Sequence, residues 1–403
     1  MDEKLKNGLA NLGLVVVSVV VFLIIVEGVL TFASPEEIIP IRPEGLYQSD
    51  LAVGYIPAPF YEGRVRTSEF DYSIKINSQS MRDVEHTINK QRDIKRILGL
   101  GDSFTFGCSV DYEYAYLTQL EKKLNNNGTK IEIIKAGVGG YGTDNEYYYL
   151  VNYGSKYKPD IVLVGFFAGN DVRDTMLGFY KYNTANGVTK WNETILRSHG
   201  VIKNTEKNEA FSVFKSTALT LFPHSTRFFY GKYKIIKNKF FGLGEGSQIS
   251  NSQTNLTILN YETFYKKKYS DDVERGWNET FDFLMRIKKL TEANNATLVV
   301  VIIPVSEQVH KEDWGLRKME YGLNENDFDL EKPQKKLIRF CEGNDVYYID
   351  LLPKFKEKSM NGDRLYYESD VHWNEKGHEL AADIIAESLL KKNLLKTKVM
   401  NNG

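Results

Sequence analysis

Three residues of this chain have the types and surroundings that nucleophilic catalysis needs. Ser103 lies in Gly101-Asp102-Ser103-Phe104-Thr105-Phe106-Gly107, after an apolar run of strand length at 96–100 and before a stretch at 114–124 that reads as a helix. A serine at such a turn sits at the carboxyl edge of a sheet, where open α/β folds put their sites. The flanking glycines let the backbone turn tightly, and a helix N-terminus just beyond favours developing negative charge. A serine hydroxyl is a poor nucleophile until a base takes its proton, and histidine suits that task near neutral pH. His372 stands in Ser369-Asp370-Val371-His372-Trp373-Asn374 near the C-terminus. A carboxylate on the other ring nitrogen would fix the tautomer and stabilise the imidazolium, and Asp370 is close enough for one short loop to deliver both. Asn374 is suited to cap the last helix and so to hold that loop rigidly.

The elements around these residues alternate. Strands are expected at 130–134, 160–167, 297–304 and 346–351, and helices from Thr143 or Asp144 to about Tyr157, over 274–293, near 330–342 and over 375–392. That rhythm predicts an α/β fold with a mostly parallel sheet covered on both faces. Two glycine-bearing loops fall at strand ends, Ala136-Gly137-Val138-Gly139-Gly140-Tyr141-Gly142 and Ala168-Gly169-Asn170-Asp171. Residues 35–95 read as a small β-rich segment packing on the catalytic domain, which is expected over 96–395. A long insertion rich in Tyr, Phe and Lys occupies 172–270, after the third strand of that domain. Its aromatic and basic mixture would suit a membrane surface or a glycan, or a helical cap with an aromatic core.

Residues 8–26 carry no charge, and the apolar character runs past Glu27 to Ala33. This length predicts an N-terminal transmembrane helix within 1–34, with a cleaved signal peptide as the alternative. Lys4 and Lys6 precede it and no basic residue follows until Arg42, which places the catalytic part outside the cytoplasm. Glu27 could pair with another protein in the membrane. A formal net charge of −1 gives no reason to expect nucleic acid. Cys108 and Cys341 support neither a disulfide framework nor a metal cluster, and both are expected to pack as small hydrophobes. His86, His199, His224, His310 and His378 read as structural. Asn-X-Ser/Thr sequons stand at Asn127, Asn192, Asn255, Asn278 and Asn295.

Taken together, the turn at Ser103, the glycine loop, Gly169-Asn170-Asp171 and Asp370-Val371-His372 resemble the four blocks of the SGNH (GDSL) hydrolase superfamily, in its order and over about 96–390. The resemblance implies a flavodoxin-like three-layer α/β/α sandwich and a serine esterase that needs no metal or organic cofactor. It assigns Ser103 as nucleophile, His372 as base and Asp370 as its orienting acid. It assigns the oxyanion hole to the Ser103 N–H, the Gly140 N–H, with Gly139 as the fallback, and the Asn170 side-chain amide. The chain departs from the family in spacing its last pair as Asp-X-His where many members have Asp-X-X-His. That spacing with the following Trp-Asn resembles membrane-associated members, including acyltransferases that acetylate extracellular polysaccharides. Lys135 also stands where an asparagine is common. The expected substrate is an acyl ester, on a glycan or a lipid. An O-acyltransferase for a surface glycan is the alternative, and a non-catalytic binding protein a third.

Overall fold

The computed structural model describes residues 43–126, 130–177, 261–368 and 370–395, with scattered helical positions between 11 and 28. The chain divides into two compact units, one of residues 1–38 and 203–258 and one of residues 39–202 and 259–403. Every element below belongs to the second.

Two antiparallel hairpins come first, β1 (Tyr47–Asp50) with β2 (Gly54–Pro57) and β3 (Glu62–Arg66) with β4 (Asp71–Lys75). The alternation of Tyr72 and Ile74 inward with Ser73 and Lys75 outward gives β4 its burial pattern. Five further strands form a single sheet: β5 (Lys95–Gly101), β6 (Ile131–Lys135), β7 (Ile161–Phe167), β8 (Thr297–Ile303) and β9 (Tyr347–Asp350). Their order is β6-β5-β7-β8-β9 and every ladder is parallel. Counted from β5, that is the doubly wound order 2-1-3-4-5 of flavodoxin-like folds. All seven residues of β7 are buried, and β8 is buried from Leu298 on. Central strands covered on both faces must be apolar throughout, which is why they read as runs of Val, Ile, Leu and Phe.

The helices are α1 (Ser103–Phe106), α2 (Tyr116–Asn126), α3 (Thr143–Tyr149), α4 (Asp171–Leu177), α5 (Asp271–Ala293), α6 (Ser306–Val309), α7 (Lys311–Tyr321), α8 (Lys332–Gly343), α9 (Leu352–Met360) and α10 (Glu375–Lys391). Right-handed crossovers in this strand order put α2 on one face of the sheet and α3, α5 and α8 on the other. The packing agrees. Helix α10 lies against α2, while α3, α4 and α5 pack together and Phe281 of α5 stacks on Phe340 of α8 at 4.2 Å.

Two local expectations are corrected. The helix from residue 143 stops being regular at Tyr149 and continues to Tyr157 as a wide π turn and a 3₁₀ turn. Ser155 Oγ bonds the Leu150 carbonyl there, and Lys158 then turns left-handed and ends the run. Neither Thr143 nor Asp144 caps that helix; Gly142 precedes it in extended form and donates its N–H to the Asn145 side chain at 3.2 Å. The Asn374 cap is present, accepting from the Gly377 N–H at 3.1 Å.

Among the described residues no helix is long and apolar enough to cross a membrane. Of the expected span within 1–34, residues 11, 13–15, 17–26 and 28 are described, as helix, and the others lie outside the described residues. So do 178–260 of the expected insertion, with His199, His224, Asn192 and Asn255, as well as Asn127 and Ser369.

Candidate active site

The nucleophile turn forms where β5 ends. Gly101 has φ +151°, and a Cβ there would lie 2.1 Å from Thr105 Oγ1, so only glycine fits. Asp102 accepts the Phe104 N–H at 2.9 Å and starts the single turn of α1, which Gly107 ends in the left-handed region. The serine is thereby fixed at the sheet's carboxyl edge, between β5 and β7. That is the switch point of this strand order, because β6 lies on the other side of β5.

His372 reaches Ser103 across 269 residues of sequence. Its Nε2 stands 2.8 Å from Ser103 Oγ and its Nδ1 2.5 Å from Asp370 Oδ1. Asp370 Oδ1 also accepts the His372 backbone N–H at 2.9 Å and the Ser109 hydroxyl at 3.5 Å. Burial opposes charge on Asp370, but the bonds to His372 outweigh it and hold the carboxyl below its usual range. The imidazole packs against Phe104, with ring centres 5.2 Å apart. Ser109 was not singled out from the sequence. It follows the nucleophile turn in the left-handed region, φ +72°, and its carbonyl accepts the Tyr367 hydroxyl at 2.9 Å. No local sequence signal marks it, since its partners lie about 260 residues away.

The two glycine candidates adjoin. Gly139 lies near Ser103: a Cβ on it would lie 2.9 Å from the Tyr47 hydroxyl and 3.9 Å from Ser103 Cβ. Gly140 follows with φ +86°. The N–H groups of Ser103, Gly139 and Gly140 bond no acceptor among the described residues. Asn170 follows β7, the neighbour of β5, and its Oδ1 is buried without a partner.

Beneath these loops lies a group of buried acids. Asp102, Glu146 and Asp171 are each 0% exposed: Asp102 precedes Ser103, Glu146 lies in the first turn of α3 after the glycine loop, and Asp171 begins α4 after Asn170. Burial pushes Asp102 up to about 7 and Asp144 up to about 8, and Glu146 and Asp171 well above the usual carboxylate range. Asp102 Oδ2, Asp171 Oδ1 and both Glu146 oxygens lack a hydrogen-bond partner. No set of His, Cys, Asp and Glu among the described residues has metal-site geometry.

The segment before β5, which sequence reading left without chemistry, braces both halves of the site. Tyr55 of β2 donates its hydroxyl to the Gly139 carbonyl at 2.7 Å. The turn between β3 and β4 meets the base loop: Glu69 accepts the Glu368 N–H at 2.6 Å, and Phe70 packs on Tyr367 at 4.9 Å. Arg82 is buried and donates to the carbonyls of Ser73, Gly107 and Val110, tying β4 to the end of the nucleophile turn.

Lys135 proves to be loop support. Its ammonium binds Asp83 at 3.0 Å and Glu121 at 2.7 Å, one residue ahead of the glycine loop. The described histidines other than His372 are structural. His86 bridges Asp83 and Glu132 at 2.8 Å each. His310 bonds Ser359, and His378 is buried against Tyr116, its pKa pushed down to about 3 by desolvation. Cys108 and Cys341 are buried and form no disulfide among the described residues.

Residues 263–401 match the family model of the SGNH hydrolase-like domain of the acetyltransferase AlgX. The resemblance to the SGNH superfamily is borne out. The matched segment carries Asp370 and His372, and the Ser103–His372 hydrogen bond joins it to the turn after β5. Similar solved structures include an acetyl xylan esterase, 14% identical, TM-score 0.38, covering 73% of this chain and 99% of that one. A psychrotrophic esterase from Pseudoalteromonas sp. is 14% identical, TM-score 0.37, covering 74% and 98%. An acetylxylan esterase from Geobacillus stearothermophilus, in a catalytic-mutant form, is 11% identical, TM-score 0.37, covering 73% and 94%. No curated protein matches the chain.

Proposed function

We propose that this chain is a membrane-anchored serine esterase of SGNH type, acting outside the cytoplasm on an acyl ester of a glycan or lipid. The observation that carries the reading is the continuous hydrogen-bonded series from Asp370 through His372 to Ser103, at 2.5 and 2.8 Å. Ser103 Oγ attacks the ester carbonyl as His372 Nε2 takes its proton. The oxyanion is held by the N–H groups of Ser103 and Gly140 and by the Asn170 amide, each worth about 3 kcal/mol in the transition state. His372 then protonates the leaving alcohol, activates water and releases the acid. Asp370, held ionised, keeps the proton of the resting imidazole on Nδ1. The scheme uses no metal or organic cofactor. Anchoring rests on the apolar run that begins at residue 8 and the lysines before it.

A second reading has a specific support. The matched family model describes an acetyltransferase, so the same acyl-enzyme could pass its acyl group to a sugar hydroxyl of a surface glycan in place of water. The full chain in detergent, beside Ser103→Ala, separates the two. Each would receive short- and medium-chain aryl esters with and without oligosaccharide, while free acid and acylated sugar are counted by mass spectrometry. Free acid that depends on Ser103 and not on the sugar supports the esterase. Acylated sugar with little free acid replaces it by the transferase. Equal turnover by Ser103→Ala overturns both.

A further inference from the structure

The peptide unit between Gly139 and Gly140 is held at one end from outside the sheet domain. Its carbonyl accepts the Tyr55 hydroxyl at 2.7 Å. Among the described residues no peptide bond is cis, and in a trans planar unit the C=O and the N–H point in opposite directions. A bond that pins the Gly139 carbonyl toward the hairpin therefore pins the Gly140 N–H away from it. The same glycine pair stands close to Ser103: a Cβ on Gly139 would lie 2.9 Å from the Tyr47 hydroxyl and 3.9 Å from Ser103 Cβ.

We infer that Tyr55 is a positioning residue of the oxyanion hole, aiming the Gly140 N–H by holding the carbonyl of the same peptide unit. The inference rests on the proposed role of Gly140 in acyl transfer. A donor to the carbonyl also polarises the peptide and strengthens the N–H at its other end. Such a hydroxyl must itself be fixed, and it is. Tyr55 is fully buried, with its ring edge-on to Tyr47 at 5.2 Å and to Tyr141 at 5.4 Å. The Tyr141 hydroxyl returns a bond to the Tyr55 carbonyl at 2.5 Å, and Asn145 holds the Val53 carbonyl at 3.0 Å. A loop with two adjacent glycines has many alternative peptide orientations, and this hydroxyl selects one. The hairpin thus supplies to the site an element that none of the four blocks contains.

The test uses the full chain with Tyr55→Phe, which keeps the ring and removes the hydroxyl. A misaimed donor should lower kcat by about tenfold or more, less than outright loss of a donor, with KM unchanged. Inactivation by an aryl phosphonate, whose adduct is tetrahedral and anionic, should slow by the same factor. Tyr153→Phe is the comparison: it removes a 2.6 Å bond to Asp50 of β1 and loosens the hairpin without touching Gly139. It should lower the melting midpoint while leaving kcat within about twofold, as distant sites act independently. Unchanged kcat and phosphonate rate in folded Tyr55→Phe overturns the inference, as does an equal loss in both variants. If Tyr55→Phe does not fold, 3-fluorotyrosine at position 55 carries the test. It keeps the packing and sharpens the donor; a raised kcat supports the role and an unmoved one overturns it. Absence of any Ser103-dependent turnover in the parent chain would instead remove the acyl-transfer reading itself.

Discussion

Asp83 stands in the segment between β4 and β5 and Asp102 directly follows β5, and both side chains are fully buried. Asp83 accepts from His86 at 2.8 Å, from the Tyr112 hydroxyl at 2.7 Å, and from Lys135 through both its N–H and its ammonium. Burial works against its charge, but these donors and the two cations outweigh burial and hold its pKa below the usual value. Asp102 accepts the Phe104 N–H and is favoured as an ion by His372 and the Asn170 amide, but Asp174, Glu146 and Asp171 crowd it with further acids. There burial prevails and the pKa rises to about 7. The same side chain at the same depth is an ion in one place and about half protonated near pH 7 in the other, because the surrounding donors and charges, not depth, decide. The ionic group supports the start of the glycine loop. The raised pKa of the other lessens the negative charge buried beside Ser103.

The sharpest way to break this contrast is Asp83→Asn. It leaves the Lys135 ammonium and His86 without their shared buried partner, and should cost about 3 kcal/mol or more in denaturant unfolding at neutral pH. Asp102→Asn should act oppositely and depend on pH. A raised folded pKa means that protonated Asp102 contributes stability fully below 3.8, lost as pH rises toward about 7. Asparagine keeps the cap on α1 and does not ionise. Thermal melts should therefore show the variant gaining on the parent between pH 4 and 7, with no further divergence above. A constant gap across that range would refute the shifted acid. The smallest change is expected from Glu146→Gln, since burial favours the protonated carboxyl that glutamine resembles in shape, and stability should move by under about 1 kcal/mol. A loss as large as that of Asp83→Asn would mean that Glu146 is ionised and paired.

The parts of this molecule visible in the sequence are those written locally. The apolar runs of β5, β7 and β8 announce buried parallel strands, and Gly101 to Gly107 announces the turn between strand and helix. Asp370 and His372 sit two residues apart, so one loop had to carry both. The pairing of Tyr55 with Gly139 spans 84 residues, and Ser109 meets Asp370 across 261. Nothing in either local stretch signals the other. The acids misled in a different way: Asp144, Glu146 and Asp171 look like ordinary first-turn helix residues favoured by the helix dipole. Only the strand order shows that their loops converge in the interior. The wide turn after Tyr149 was hidden because it preserves helical hydrophobic spacing.

The hydrogen bond from Ser103 to His372 also bears on how the protein comes to be active. Its partners enclose a loop of 269 residues, and the Glu69–Glu368 brace encloses 299. Contacts of such range form late, because the entropy of closing the chain must be met before they return any stability. The sheet from β5 to β7 can assemble from local crossovers while Ser103 still lacks His372. During refolding, secondary structure should return before turnover does, and every molecule passes through a stage in which Ser103 is in place but chemically idle.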